Sequence, residues 1–503
     1  MQPKNLPAPS GFRFHLRKLL SMALITAAAA YGAHLAGIAA HPRAVVSVAV
    51  FIAVICTTLF YWSYRVSAAF VGVALLVATR TMTLRGVLQA TELDIILFLI
   101  GMMIIVGALK DMGFLTWVIQ SIIKRRNMTG GQFTVILCCL SALFSSVVDE
   151  VSSIVVVLAL VFQVCDTLKV RSTPFVLMAV LCTNIGSPST MLGNPVGIFI
   201  GNKAGFTFAQ FLVGATPVAM VSLLVTTALL MVYFRKDIHE MTLRMEAHRA
   251  ASRGLGPIVK IPYKTGLAVL VVTVVSIAFH HQIESYLGLS ALPGNKNAFL
   301  IMTPLIIAGV LMGLRPTRAR HYVEHDVEWW TLIFFMFLFA IAGSLETQGV
   351  TEALAERLAA IVKGGHRALV PVVLAVSAIG SAFVDNIVFV AAFTPVIKSL
   401  IAQNGQDYNI LWWALLFGAC FGGNITAIGS TANIVALGLL EKRAHAHIAF
   451  FHWLKIGALV GLVTGLIAWG MLLALPTQHP IAPPNGSAAV AAPAAPAPAA
   501  AAE

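Results

Sequence analysis

SALFSSVVDEVSS, residues 141–153, has a near copy in SAIGSAFVDNIVF, residues 377–389. Asp149 and Asp385 stand 236 positions apart, and that offset holds well outside the two motifs. Glu92 and Glu328, Phe98 and Phe334, Gly107 and Gly343, Ser145 and Ser381, Gly186 and Gly422, Thr190 and Thr426, and Gly193 and Gly429 all obey it. The chain is therefore two diverged copies of one unit, aligned without a gap for roughly a hundred residues. Each copy sets an acidic residue between apolar segments and follows it with a Gly-rich break in a later apolar segment. Paired units of this kind read as a membrane transporter whose site lies where the copies meet.

Composition agrees. With 59% hydrophobic and 11% charged residues in 503, the chain has too little polar surface for a soluble protein, and many apolar runs approach span length. The net charge of +13 comes from Lys and Arg scattered through short loops rather than gathered on one module, so it is a topology signal and not a nucleic-acid footprint. Cys56, Cys138, Cys139, Cys165, Cys182 and Cys420 sit in apolar segments without metal-ligand spacing and read as buried packing residues.

In chain order, residues 1–43 form a basic amino terminus and a first, uncleaved span. Residues 44–235 are the first copy, 236–260 a polar basic linker, 261–475 the second copy, and 476–503 a Pro/Ala-rich tail without core-forming capacity. Lys124-Arg125-Arg126 reads as a cytoplasmic anchor. The apolar runs 132–147 and 151–165 are short for full spans, which suits a re-entrant hairpin with Asp149-Glu150 at its tip; two tilted spans joined by a polar turn are the other reading. Residues 368–400 repeat the pattern. In NIGSPSTMLGNPVG, residues 184–197, Gly and Pro forbid a continuous helix, and GGNITAIGSTAN, residues 422–433, is its partner. Broken backbone at membrane depth is tolerated where protein or a wet cavity satisfies it, so both breaks are candidate binding loops. The expected fold is an all-α polytopic membrane protein with two inverted repeats of about five spans, each with a re-entrant hairpin and a discontinuous helix, after an N-terminal span. Five crossings per copy turn the second copy over, and the positive loops place the amino terminus in the cytoplasm.

A carboxylate at membrane depth costs roughly 2.5–3.5 kcal/mol on insertion scales unless a cation, proton or donor compensates it. Burial raises a carboxyl pKa and a bound cation lowers it, so one site can exchange protons for cations by mutual displacement. Glu150 stands where the second copy has Asn386, which makes the two sites unequal. Side-chain oxygens and freed carbonyls at the breaks suit a sodium ion; half-helix amino ends suit an anion. The candidate site is Asp149, Glu150, Ser152, Asn184, Ser187, Thr190, Asn194, Asp385, Asn386, Asn424, Thr426, Ser430 and Asn433.

Asp149-Glu150, Asp385-Asn386, NIGSPSTMLGNP and GGNITAIGSTAN resemble the repeated signatures of the ion transporter superfamily, and most nearly its arsenite-permease and sodium/proton-antiporter branch, which includes the melanosomal P protein. Dicarboxylate/sodium symporters of the citrate-transporter-like kind are more distant. The resemblance covers residues 44–475 and implies re-entrant hairpins facing discontinuous helices, a scaffold subdomain, elevator-like motion and a homodimer. The chain departs from the pattern at Glu150, where Asn is frequent, at Asn194 and Gly197 in GNPVG, where many relatives read GDPPN, and at Ile387-Val388, where a Thr is frequent.

Read together, these features describe a secondary active ion transporter of the plasma (bacterial inner) membrane. Sodium/proton antiport comes first; the alternative is an anion permease or symporter carrying arsenite, oxyanions or a di- or tricarboxylate such as citrate. No cofactor is expected beyond Na⁺ or H⁺ as coupling ion, and no partner beyond bilayer, small ion and a second copy. An intramembrane aspartyl protease built on the two aspartates is the enzymatic alternative, disfavoured because it leaves the repeated breaks unexplained. Lys110-Asp111 reads as an interfacial pair, His280, His281, His445, His447 and His452 as loop or span-end residues, and Trp329-Trp330 and Trp412-Trp413 as interface anchors.

Overall fold

The computed structural model describes residues 12–123, 127–251, 262–286, 298–361 and 365–474. The Lys124-Arg125-Arg126 anchor, the end of the linker and the 476–503 tail lie outside the described residues.

Every described element is helical. An opening helix α1 (Phe12–Leu35) precedes α2 (Pro42–Phe60), α3 (Arg65–Ala78), α4 (Leu84–Ala90), α5 (Leu93–Asp111) and α6 (Phe114–Ile123). The first acidic motif joins α7 (Gly130–Val147) to α8 (Glu150–Leu168), and the first break separates α9 (Thr173–Gly186) from α10 (Pro195–Ala204). The long α11 (Phe208–Tyr233) and the polar α12 (Arg235–Ala250) follow. The second copy runs through α13 (Lys264–Ala278), α14 (His280–Tyr286), α15 (Ala298–Leu314), α16 (Pro316–His321), α17 (Trp329–Thr347) and α18 (Val350–Ile361). It ends with α19 (Gly365–Phe383), α20 (Asn386–Asn404), α21 (Ile410–Gly422), α22 (Thr431–Ala444) and α23 (Phe450–Ala474). Among the described residues nine helices are long and apolar enough to cross a membrane, with four shorter apolar helices beside them. Outward leucines such as Leu212, Leu224, Leu462 and Leu466 are exposed on α11 and α23, as a lipid-facing surface requires.

Local chemistry sets the helix ends. A capping box between Thr129 and Gln132 starts α7, and Asp149 caps α8. α9 stops at Gly186, where Pro188 tightens the chain into a 3₁₀ turn over Ser187–Ser189, and restarts as α10 with Pro195 in its first turn.

The repeat offset recurs in bonded geometry. Ser145 Oγ donates to the Thr183 carbonyl at 2.8 Å, and Ser381 Oγ to the Ala419 carbonyl at 2.8 Å. Thr190 donates to the Ser146 carbonyl as Thr426 does to that of Ala382. Gly186 lies against Ala142, and Gly422 against Ala378, so closely that any side chain on either glycine would collide with backbone. Contacts between the copies are reciprocal: α8 packs on α22 and α20 on α10, while α3 packs on α17 and α15 on α5.

Three expectations need correction. α7 and α8 have 18 and 19 residues, about 27–29 Å of helix, because the Thr129 capping box starts α7 ahead of its apolar run and α8 continues past its own run to Leu168; length therefore gives no ground for re-entrance. Trp412 and Trp413 are buried in the core, with the Trp413 ring stacked on Phe206 at 4.7 Å, and are not interface anchors. Cys139 is exposed, unlike the five other cysteines. His280 opens α14 just after α13, at a span end as expected, and is buried there with its Nδ1 2.8 Å from the Ile277 carbonyl oxygen. Trp329 and Trp330 are exposed as expected of anchors.

Candidate functional site

The acidic tips and the first break meet at a cavity of about 160 Å³. Of the thirteen candidate residues, six line it: Asp149, Glu150, Ser152, Asn194, Asp385 and Asn386. Asp149 and Asp385 each cap the helix they precede. Asp149 Oδ1 accepts from the Val151 and Ser152 amides at 2.8 Å each. Asp385 Oδ1 accepts from the Ile387 amide at 3.2 Å, and its Oδ2 accepts from Thr431 Oγ1 at 2.5 Å. Asn194 caps α10 by accepting from the Gly197 amide at 2.8 Å, and Ser430 caps α22 by accepting from the Ala432 amide at 3.2 Å. All four half-helix amino ends at the site thus carry a side-chain acceptor of the chain's own, two of them carboxylates. Asp149 does this with φ at +151°, a region almost reserved for glycine, so the first tip is strained.

Glu150 opens α8 and is 6% exposed, and its Oε2 has no hydrogen-bond partner. Beside it Asn194 Nδ2 donates to Ser187 Oγ at 2.9 Å and Cys420 Sγ at 3.1 Å. Asn386, its counterpart, instead accepts from Ser381 Oγ at 2.6 Å.

The remaining seven residues hold the breaks together. Asn184 Nδ2 donates to Asn424 Oδ1 at 2.8 Å and to Asn433 Oδ1 at 2.9 Å, while its own Oδ1 accepts from Ser430 Oγ at 3.1 Å. Asn433 Nδ2 donates to the carbonyls of Gly423 and Thr426 at 2.8 and 3.0 Å, and Asn424 Nδ2 to that of Leu181 at 3.2 Å. Ser187 donates to the Asn184 carbonyl, and Thr190 and Thr426 to the chain ahead of each acidic tip. The polar side chains of the breaks satisfy broken backbone, as membrane depth demands.

The cavity also draws in residues that sequence reasoning left out: Lys110, His325, Asp326, Glu328 and Thr331. Lys110 and Asp111 are not a pair. Lys110 lines the cavity, while Asp111 accepts from Tyr322 Oη at 3.1 Å and lies 3.5 Å from Arg318 Nε. Glu328 reaches solvent, yet partial desolvation, and then the charge of Asp149, push its carboxyl above the usual glutamate range, against a hydrogen bond from Thr331 and the positive charges of Lys110 and Arg65. The buried Arg65 donates to Thr331 Oγ1 at 3.1 Å with its guanidinium over the Trp62 ring. The one available signal was the pairing of Glu92 with Glu328 at the repeat offset.

A helical chain with many apolar spans, two matched breaks and a carboxylate-lined cavity between them is an integral, multi-pass membrane transporter. The particular family follows from comparison. The family model described as "Citrate transporter" matches residues 50–418 and 327–495, and the chain belongs to that family. An uncharacterised transporter of Mycobacterium tuberculosis is 33% identical over 387 residues, covering 75% of this chain and 84% of its own length. The 46 kDa membrane protein of Mycobacterium leprae is 31% identical over 420 residues, covering 80% and 92%. The mouse P protein is 25% identical, covering 85% of this chain and 60% of its own. The crystal structure of the YdaH transporter of Alcanivorax borkumensis shares the fold, with a TM-score of 0.52 at 16% identity, over 78% of this chain and 86% of that one.

Proposed function

We propose that the protein is a secondary active cation/proton exchanger, with sodium the cation it takes. The observation that carries this reading is that five carboxylates, Asp149, Glu150, Asp326, Glu328 and Asp385, line one cavity whose only lysine is Lys110 among the described residues. Such a cavity is compensated by cations or protons, and the two compete for the same oxygens. The capped half-helix ends point the same way, since the dipole ends an anion would use already face acceptors of the protein.

The cycle in this reading is elevator-like. The two copies lie inverted across the plasma membrane, their acidic tips approach from opposite faces, the amino terminus is cytoplasmic, and two chains form the working unit. Membership in a transporter family leaves the aspartyl-protease reading without support.

A second reading takes its substrate from the family model's description, citrate or a related carboxylate, and its mechanism would be symport. Five carboxylates would repel a citrate anion, so it would have to enter with cations or protons that neutralise the cavity. Proteoliposomes loaded with a pH dye separate the two. Antiport predicts alkalinisation of the lumen when Na⁺ or Li⁺ is added outside without any organic anion, because each entering cation expels a proton, and the response is abolished by Asp149→Asn or Asp385→Asn. A dye response that needs citrate replaces antiport with symport.

A further inference from the structure

Glu92 and Glu328 occupy equivalent positions of the two copies but meet different surroundings. Glu328 lines the site cavity. Glu92 lines a second cavity of about 290 Å³, together with Phe339, Glu346, Thr394, Lys398 and Lys203. The two cavities correspond in part at the repeat offset: Met103, Lys110 and Glu328 in the first answer to Phe339, Glu346 and Glu92 in the second. One difference stands out. Lys203 on α10 has Leu439 as its counterpart on α22. Lys203 Nζ lies 2.5 Å from Glu92 Oε1, both side chains 20% exposed, and beside it Asn202 Nδ2 donates to Asp94 Oδ2 at 2.6 Å. Both bonds join α10 to the first turn of α5. α10 is ten residues long and is capped at its other end by Asn194, in the wall of the site cavity, while α5 packs against α15. One short helix therefore carries a site residue at its start and the ion pair at its end.

We infer that the Glu92–Lys203 pair is a latch on the second cavity, and that it must part before the site becomes reachable from that side. The two residues are positioning residues of the transport cycle and do not touch the transported ion. Two copies with equivalent cavities give a cycle in which each cavity opens in turn, and in this structure the acid of one copy faces its cavity while the acid of the other is held by an ammonium its counterpart lacks. The inference rests on the chain's being a transporter and not on which ion it carries, so it stands or falls apart from the sodium/proton reading.

The test uses the full chain in nanodiscs, with its six native cysteines replaced and a single cysteine introduced in either cavity, Met103→Cys or Thr394→Cys. A water-soluble maleimide reads accessibility. Adding Lys203→Met should raise labelling at 394 and lower it at 103, by roughly tenfold, as the loss of about 1.4 kcal/mol from one of two states produces. Lys203→Arg should return both rates to the parent values, and so should the exchange of Glu92→Lys with Lys203→Glu. Unchanged rates at both positions, or a rise at both together, would overturn the latch, because general loosening opens both cavities. If Lys203→Met fails to fold, Glu92→Gln removes the same pair from its other side and carries the same expectation.

Discussion

Asn184 of the first break donates to Asn424 of the second at 2.8 Å, so the two interrupted helices are joined by a buried amide pair. Asn433 and Ser430 complete the junction on the same side chain. Asn184→Ala would leave three buried polar partners to find replacements, at about 1–3 kcal/mol for each that fails. The expected result is a thermal midpoint several degrees lower in detergent, together with lost transport. A variant that keeps its melting temperature would show that the junction does not hold the breaks.

Asp149 combines a cap with a strained backbone. Asp149→Gly removes the cap, which costs a few tenths of a kcal/mol, and relieves about 1–3 kcal/mol of strain. Thermal unfolding should find this variant at least as stable as the parent, while transport is lost with the carboxylate. Asp149→Ala keeps the strain and loses the cap, and should be the less stable of the two.

Glu150 differs again, since one of its oxygens is buried without a partner. Glu150→Gln should fold normally, because it keeps an oxygen for the Ser187 and Asn194 side chains and removes the desolvation cost of a charge whose other oxygen has no partner. Its effect belongs to coupling. Charge moved per transported ion, measured on a solid-supported membrane, should change by about one elementary charge, and an unchanged ratio would take Glu150 out of the coupling step.

Acid should act on the latch. Burial pushes the Glu92 carboxyl above its usual value of 4.5, with Asp94 adding to that and Lys203 and Lys398 opposing it. Glu346 and Lys398 face the same cavity. Because the net shift is upward, Glu92 takes up its proton at a pH above 4.5 and releases Lys203 there, earlier in an acid titration than an ordinary glutamate would. Labelling of Thr394→Cys, divided at each pH by the labelling of a free thiol, should therefore rise as pH falls towards that region, and Glu92→Gln should remove the dependence.

Much of the fold is legible in the sequence. The repeat, the two breaks and the acidic tips are local signals: Gly186 and Gly422 recur because backbone passes them too closely for a side chain, and Pro188 and Pro195 sit at the starts of the 3₁₀ turn and of α10, where a missing amide costs least. Helix length was not legible, because Thr129 and Gln132 start α7 by capping, ahead of its apolar run. The burial of Trp412 and Trp413 depends on Phe206 and Phe211, distant in sequence. The division of labour at the site was also hidden. Asn and Thr in a broken helix look alike whether they bind an ion or satisfy backbone, and only the cross-copy bonds of Asn184 distinguish the two. Glu328, Lys110 and Thr331 sit at the ends of apolar runs and read as boundary residues until α5 and α17 bring them to one cavity.

The central claim, that protons and a cation displace each other at the carboxylates of Asp149 and Asp385, is tested most directly by equilibrium binding of radioactive sodium to the purified protein across a pH series. The account predicts saturable binding that weakens as pH falls and disappears in Asp149→Asn and Asp385→Asn. Sodium binding that ignores pH, or survives both substitutions unchanged, would contradict it.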